Sequence, residues 1–580
     1  MRQIFLAALL VVGIFAVEET KEEDGPIVNT KYGPVQGLKV EAKDGSTANV
    51  FLGIRYANAP DNFHRFEKPH IVDKWDFLHH ATRFRAACIP VHSAHVNDRQ
   101  DFSEDCLFLN ILTPSDLQSA HPVMVFIHGG GFAIGNTEEY GYKKLVDHFV
   151  AKGIVVVTIQ YRLGPLGFFS LGDPTAPGNM GLWDMATALE FLHDVLPAFG
   201  GNVNQITVSG QSAGSSAASA LTFSPHADVY FHQTIELSGS VFAEYSLSES
   251  VVENSFALAK ELGCQKNNEK DTRKILDCMR ERTAQEILDG VDRIGPSRTH
   301  PNFLKFHPRI DGEFFPYALD QMLKTAQPKP VLSGFTDQES AMFASGFEGY
   351  PAFNGVRLTK EDQKNFTRDA FFKFISENVA TEHEHGRKMG PFLDLLEEYY
   401  IKRDAPAEPD TKFYVQRYTE LLSDLMFVVP TLHDLELRRL QNWPSWLYQI
   451  TYTSSLEKKL ERDNKGAWHA TELKYLFDIF GIKDEDLAPE DAKFQRAFVD
   501  SLAKFVINGN PSTDSFKWDQ VSKDKPWTYA NFAETPKMEK TFDPQLVEFW
   551  LKRIPKAVGS DHLSKSRLPG AHAHRVHTEL

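Results

Sequence analysis

Along most of the chain, short runs of apolar, often β-branched residues alternate with longer stretches of helical character. The clearest runs lie at 123–127, 154–159, 206–208, 234–237, 331–332 and 446–452. This alternation predicts an α/β protein with a large, mostly parallel central sheet flanked by helices. Several runs lead directly into a Gly-rich turn followed by small residues. No internal repeat or low-complexity tract is present, and no linker divides residues 26–556, so one domain is expected.

The two ends of the chain read differently from its body. Met1-Arg2-Gln3 precedes an apolar stretch from Ile4 to Phe15 that ends at small Ala16, and an acidic run (Glu18, Glu19, Glu22, Glu23, Asp24) follows. That is the pattern of a signal peptide over residues 1–16, with cleavage near Ala16. The folded domain is then expected over 17–556, with a His- and base-containing tail over 557–580. The tail ends in His577-Thr578-Glu579-Leu580, which is similar to the KDEL-type tetrapeptide read by retrieval receptors. The expectation is therefore residence in the endoplasmic reticulum lumen with such a receptor as partner, and secretion as the alternative. No later run is long and apolar enough for a transmembrane anchor.

Composition narrows the function classes. Hydrophobic residues make up 42% of the chain and include 44 Phe, enough for a large core. A net charge of −16 argues against nucleic-acid binding, since nothing would neutralise phosphates over a broad face. The four cysteines, Cys88, Cys106, Cys264 and Cys278, allow three pairings in an exported chain. Pairing neighbours closes two short loops and is the expected arrangement; none of the four has metal-ligand spacing. Asn365-Phe366-Thr367 is an N-glycosylation sequon.

The chemistry begins at Gly210-Gln211-Ser212-Ala213-Gly214, a G-x-S-x-G sequence. The strand-like residues 206–209 lead in and a run of small residues, 213–218, leads out as a helix. A sharp strand-to-helix turn would strain and present Ser212 as a nucleophile. A serine hydroxyl needs a base, and a tetrahedral intermediate needs hydrogen-bond donors. Donors are offered by His128-Gly129-Gly130-Gly131 directly after the run 123–127; Gly130, Gly131 and the N–H of Ala213 are assigned as the oxyanion hole. A phosphate cradle is a poorer reading, because the Lys-Ser/Thr of a P-loop is missing.

Together with other segments these motifs resemble the type-B carboxylesterases, which include cholinesterases and animal liver and gut esterases. The resemblance runs from about Ile27 to Arg553. It is carried by Phe51-Leu52-Gly53-Ile54, Arg65-Phe66, residues 103–110 (SEDCLFLN), Tyr161-Arg162-Leu163-Gly164, residues 176–184 (APGNMGLWD) and Phe199-Gly200-Gly201-Asn202. It implies the α/β-hydrolase fold, no cofactor or metal, and a small-molecule ester substrate. It also implies Glu339, in residues 334–339, as the acid, with Asp337 as local rival. His469, in residues 466–472, would be the base. The order Ser, Glu, His is that of the fold. Ser238 resembles a serine that supports the acid, and Arg65–Glu104 and Arg162–Asp184 resemble the family's buried ion pairs.

Three positions depart from the family pattern. Gln211 stands where Glu commonly precedes the serine, which removes a negative charge that would attract cationic substrates. Residues 89–103 lack the tryptophan expected to bind choline, so acetylcholinesterase is a poor reading. Arg55 stands where proline is usual, with no functional account from sequence. The expected function is a carboxylesterase of broad specificity, with a lipase or juvenile-hormone-type esterase as alternatives. A non-catalytic adhesion protein of the same fold would have lost groups that are all filled here.

Overall fold

Thirteen strands form one sheet in the computed structural model, which describes residues 23–559 except 59–63, 92–100, 267–269, 296–303, 346–355, 456 and 460–465. The expected signal peptide and the HTEL tetrapeptide lie outside the described residues, as does the middle of the tryptophan-free stretch. The strands are β1 (Glu23–Asn29), β2 (Pro34–Glu41), β3 (Thr47–Arg55), β4 (His79–His80), β5 (Phe108–Pro114), β6 (His121–Ile127), β7 (Val155–Ile159), β8 (Gly201–Gln211), β9 (Gln233–Leu237), β10 (Val331–Thr336), β11 (Ser445–Ile450), β12 (Tyr529–Phe532) and β13 (Lys537–Glu539). Their spatial order is β1-β2-β3-β5-β7-β6-β8-β9-β10-β11-β12-β13, with β4 beside β2. From β7 to β12 every neighbour pair is parallel. The edges are antiparallel. Each expected strand is present within a few residues, whereas the antiparallel edge from β1 to β5 carries no comparably clear run and was not expected.

The central strands are apolar without alternation because both faces are covered. Val123, Val125 and Ile127 of β6 point into a core with helix α1 (Met180–Val195) and helix α2 (Ala213–Leu221). Met124 and Phe126 point the other way, into a core with Phe494, Phe498 and Phe505 of the long helix Pro489–Asn508. A third apolar cluster joins helix α3 (Thr411–Ser423) and helix α4 (Val429–Leu440) to the C-terminal helices. A π-helical turn, Asp424–Val428, makes α3 and α4 nearly continuous. The last helix, Ile554–Val558, runs past the domain boundary expected at 556.

Both disulfides join neighbours in sequence, Cys88–Cys106 and Cys264–Cys278, as expected. The Arg162–Asp184 pair is buried and bidentate, with Nε–Oδ2 2.8 Å and Nη2–Oδ1 2.7 Å. Arg65 chelates Glu104 in the same way, but that carboxylate keeps 21% exposure, so only one partner is fully buried. Arg55 forms a two-pronged pair with exposed Asp105 and lies over the Phe108 ring, which gives it a surface role beside β5. A further buried cluster was not anticipated. Arg438 on α4 pairs with Asp434 (2.6 Å) and lies 3.1 Å from Glu236 of β9, while Asp434 accepts from Ser219 of α2. It clamps the helix that follows Ser212 to the neighbouring strand and to α4.

Removing one charge of a dry pair strands the other. Asp184→Asn should lower the unfolding free energy by about 3–5 kcal/mol. Asp105→Asn, at a solvated pair, should change it by less than about 1 kcal/mol. Denaturant melts of the two variants beside the parent check both values.

Candidate active site

Five consecutive parallel strands, β6, β8, β9, β10 and β11, end at the same edge of the sheet, and each is followed there by one of the residues singled out from sequence. Carboxyl ends of strands in open α/β sheets are where ligands bind, because loops there can converge above the sheet.

Ser212 sits between β8 and α2 with φ 58°, a left-handed conformation that is strained for a non-glycine residue. The tight turn is permitted by its flanking glycines. A Cβ on Gly210 would come 2.1 Å from the carbonyl oxygen of Gly214, and one on Gly214 would come 2.1 Å from that of Ile127. Any side chain at either position would push the turn off the sheet. The Ser212 N–H donates to the Leu237 carbonyl (2.8 Å), which fixes the turn against the end of β9, and the serine keeps partial solvent access.

Beyond β6 the chain runs through His128 into three glycines. Gly130 and Gly131 have φ of 105° and 64°. The Gly130 carbonyl accepts from the N–H groups of Ala133 and Ile134, both at 3.0 Å, and so closes the loop on itself. Among the described residues the N–H groups of Gly130 and Gly131 have no hydrogen-bond acceptor. That of Ala213 lies in the first turn of α2, where no intrahelical partner exists. His128 anchors the loop: its ring stacks on Tyr161 at 4.5 Å, and Nδ1 pairs with the Gly129 carbonyl at 2.9 Å. Burial pulls its pKa down to about 4, so it is neutral and structural.

Glu339 follows β10 and is fully buried. Its Oε2 lies 2.6 Å from His469 Nδ1, and its Oε1 accepts from Ser238 Oγ (2.6 Å) and the Thr336 N–H (2.7 Å). Ser238, at the end of β9, also has a left-handed φ of 57°. Asp337, the rival acid, is directed elsewhere. Its Oδ1 accepts from the Ala467 N–H at 2.7 Å, so it holds the loop that carries His469. Burial raises its pKa to about 6.

His469 is 8% exposed and lies against Phe343, at 5.3 Å between ring centroids, and Phe427, at 4.5 Å. Phe427 comes from the π-helical turn between α3 and α4, and neither ring was anticipated from sequence, since π turns leave no spacing signal. Its Nε2 faces the end of β8, where it lies 3.3 Å from Gln211 Nε2. The triple-glycine loop, the Ser212 turn, the His469 imidazole and the Glu339 carboxylate are thus collected at one edge. Asn365 is remote from them in sequence and exposed, at the C-terminus of a short surface helix. Among the described residues no group of His, Cys, Asp and Glu is arranged to hold a metal ion.

One buried acid is poorly compensated among the described residues. Glu472, three residues after His469, is fully buried, and neither carboxyl oxygen meets a hydrogen-bond donor of another described residue. Burial, reinforced by the Glu339 charge, raises its pKa to about 8. The unfolded chain loses this proton near 4.5, whereas the folded chain keeps it to about 8. Between those values the native state holds more protons, so this group erodes stability as pH rises. Glu472→Gln, which stays neutral, should gain unfolding free energy relative to the parent between pH 5 and 8. The gain is on the order of a few kcal/mol and level above that range; paired denaturant melts across pH measure it.

Comparison with known proteins agrees with this architecture. The family model described as the carboxylesterase family matches residues 24–550. Gut esterase 1 of Caenorhabditis briggsae is 34% identical over 536 residues, covering 92% of each chain. Carboxylesterase 1D of Rattus norvegicus is 31% identical over 555 residues, covering 90% of this chain and 92% of the relative. Pyrethroid hydrolase Ces2a of Mus musculus is 29% identical over 557 residues, covering 93% of each. With a family match across most of its length and a site built at the strand ends of such a sheet, this chain belongs to the carboxylesterase family of α/β-hydrolases.

Proposed function

We propose that this carboxylic ester hydrolase has broad specificity and works through an acyl-enzyme on Ser212, with His469 as base and Glu339 as acid. The observation that carries the assignment is the 2.6 Å contact between Glu339 and His469 Nδ1, with Nε2 of the same ring turned toward the strand end that bears Ser212. Nε2 takes the hydroxyl proton as Oγ attacks the ester carbonyl, and Glu339 stabilises the imidazolium. The oxyanion is received by the N–H groups of Gly130, Gly131 and Ala213. Collapse expels the alcohol, which takes the proton from Nε2; water then repeats the sequence and frees the acid. Ser238 and the Thr336 N–H hold the second carboxylate oxygen, which leaves the first aimed at the ring.

Neutral, apolar esters fit this site best. Phe343 and Phe427 wall the imidazole, Leu304 lies over Gly131, and Gln211 brings no charge beside the nucleophile. That disfavours a choline ester and leaves lipase and juvenile-hormone-type activities as neighbouring readings, distinguished by acyl chain length. The proposed setting is the endoplasmic reticulum lumen. It rests on the leader at 1–16, the HTEL terminus after the domain at 17–556, a retrieval receptor as partner, and exposed Asn365 as a glycan acceptor. No helix among the described residues is long and apolar enough to cross a membrane.

Hydrolysis of p-nitrophenyl esters from acetate to palmitate should be fastest at short chains and inhibited by organophosphates. Ser212→Ala should abolish it, and Glu339→Gln should lower kcat by about 10³–10⁴. Full activity in Ser212→Ala would remove the nucleophile assignment. Deleting residues 577–580 should move the protein from microsomes to the medium, and its persistence in microsomes would refute retrieval.

A further inference from the structure

The imidazole of His469 has two nitrogens, and the assignment above uses both. Nδ1 donates to Glu339, so in the neutral ring Nε2 carries a lone pair. The group placed on that lone pair is the amide of Gln211, whose Nε2 lies 3.3 Å away in a buried contact. An amide nitrogen only donates, so Gln211 donates to the same atom that must receive the Ser212 proton. Gln211 is itself 2% exposed, with its Oε1 packed toward Gly129, so the side chain is enclosed.

We propose that Gln211 is a positioning residue that serves Nε2 in both of its protonation states. In the resting site its N–H holds the lone pair and, with Glu339 on the opposite nitrogen, fixes the ring against the stacked pair Phe343 and Phe427. Nε2 has one in-plane lone pair, so the amide N–H yields it to the Ser212 hydroxyl as the proton moves from Oγ to Nε2. Half a turn of the amide then brings Oε1 to accept from the new Nε2–H. A carboxylate at this position could perform only the second part, and would favour the imidazolium by its charge. The inference rests on the assignment of Ser212 and His469 above.

The surroundings add few other charges. Of the other acids in this region, Glu472 is held protonated by burial and Asp337 is tied to the Ala467 N–H. Lys474 lies beyond Glu472 and is paired with Glu457 at 2.8 Å. Tyr245, Tyr448 and Tyr140 stay neutral, since burial raises all three far above the working range. A charge introduced at 211 would therefore act on the imidazole with little local compensation.

The test compares kcat/KM against pH for a neutral p-nitrophenyl ester in the parent, Gln211→Glu and Gln211→Met. In Gln211→Glu the acidic limb should move to higher pH by about one unit, because a carboxylate beside Nε2 holds the proton on the ring. In Gln211→Met, which fills the same volume, kcat should fall about tenfold with KM and thermal midpoint unchanged. A role in packing alone would be rescued by Met. An unmoved acidic limb in folded Gln211→Glu, or parental kcat in Gln211→Met, would overturn the proposal. Labelling by a fluorophosphonate separates this from the parent assignment. If Ser212→Ala still labels, the nucleophile is wrong; if it does not label and the limb is unmoved, only the role of Gln211 fails.

Discussion

A fully buried carboxylate needs hydrogen-bond donors on both of its oxygens, and Glu339 has three, from three different segments. Ser238 comes from the end of β9, Thr336 from the end of β10, and His469 from the loop beyond β11. Their directions are set by the parallel register of those strands, which places the three carboxyl ends side by side. The hydrogen bonds therefore do more than satisfy the acid. They lock the loop carrying the imidazole to the two strands next to the one that ends in Ser212.

The same constraint explains features that look unrelated to chemistry. Asp337 caps Ala467, two residues before the imidazole, so two acids of one short turn hold the ring from different sides. The Arg438 cluster joins α4 to α2 and to β9, which keeps the helix behind Ser212 in register with the strand that supports the acid. A buried charged cluster is a costly way to gain stability, and apolar packing would often do as well. Its donors and acceptors here span three elements, which fixes their relative placement in a way that interchangeable apolar contacts do not. The strain at Ser212 and Ser238 is held by this framework.

Much of the site was legible because its signals are local. G-x-S-x-G after an apolar run, and a triple glycine after another, announce their geometry through the absence of side chains where chains approach within van der Waals distance. The acid and base carry no such mark; Glu339 and His469 were reached by resemblance, and Asp337 was a fair local competitor until its partner was known. The aromatic walls were out of reach for a plainer reason: Phe427 belongs to a π-helical turn in a helix pair over 80 residues from Phe343, and nothing in sequence pairs them. The contact between Gln211 and His469 was hidden in the same way. The residue type at 211 announces a lost charge and a likeness to juvenile-hormone-type esterases, whereas only the fold brings its amide nitrogen within 3.3 Å of His469 Nε2. Arg55 likewise had no account until Asp105 was found beside it.

Charge ties these observations together. The chain carries −16 overall, yet the inner site holds a single carboxylate directed at the imidazole, because Gln211 is neutral and Glu472 keeps its proton up to about pH 8. Among the described residues, neutrality at 211 and 472 leaves Glu339 as the carboxylate in direct contact with the His469 ring. The stacked rings of Phe343 and Phe427 beside it strengthen that interaction by keeping water away. On the proposed reading, a site organised in this way suits esters that bring no charge of their own.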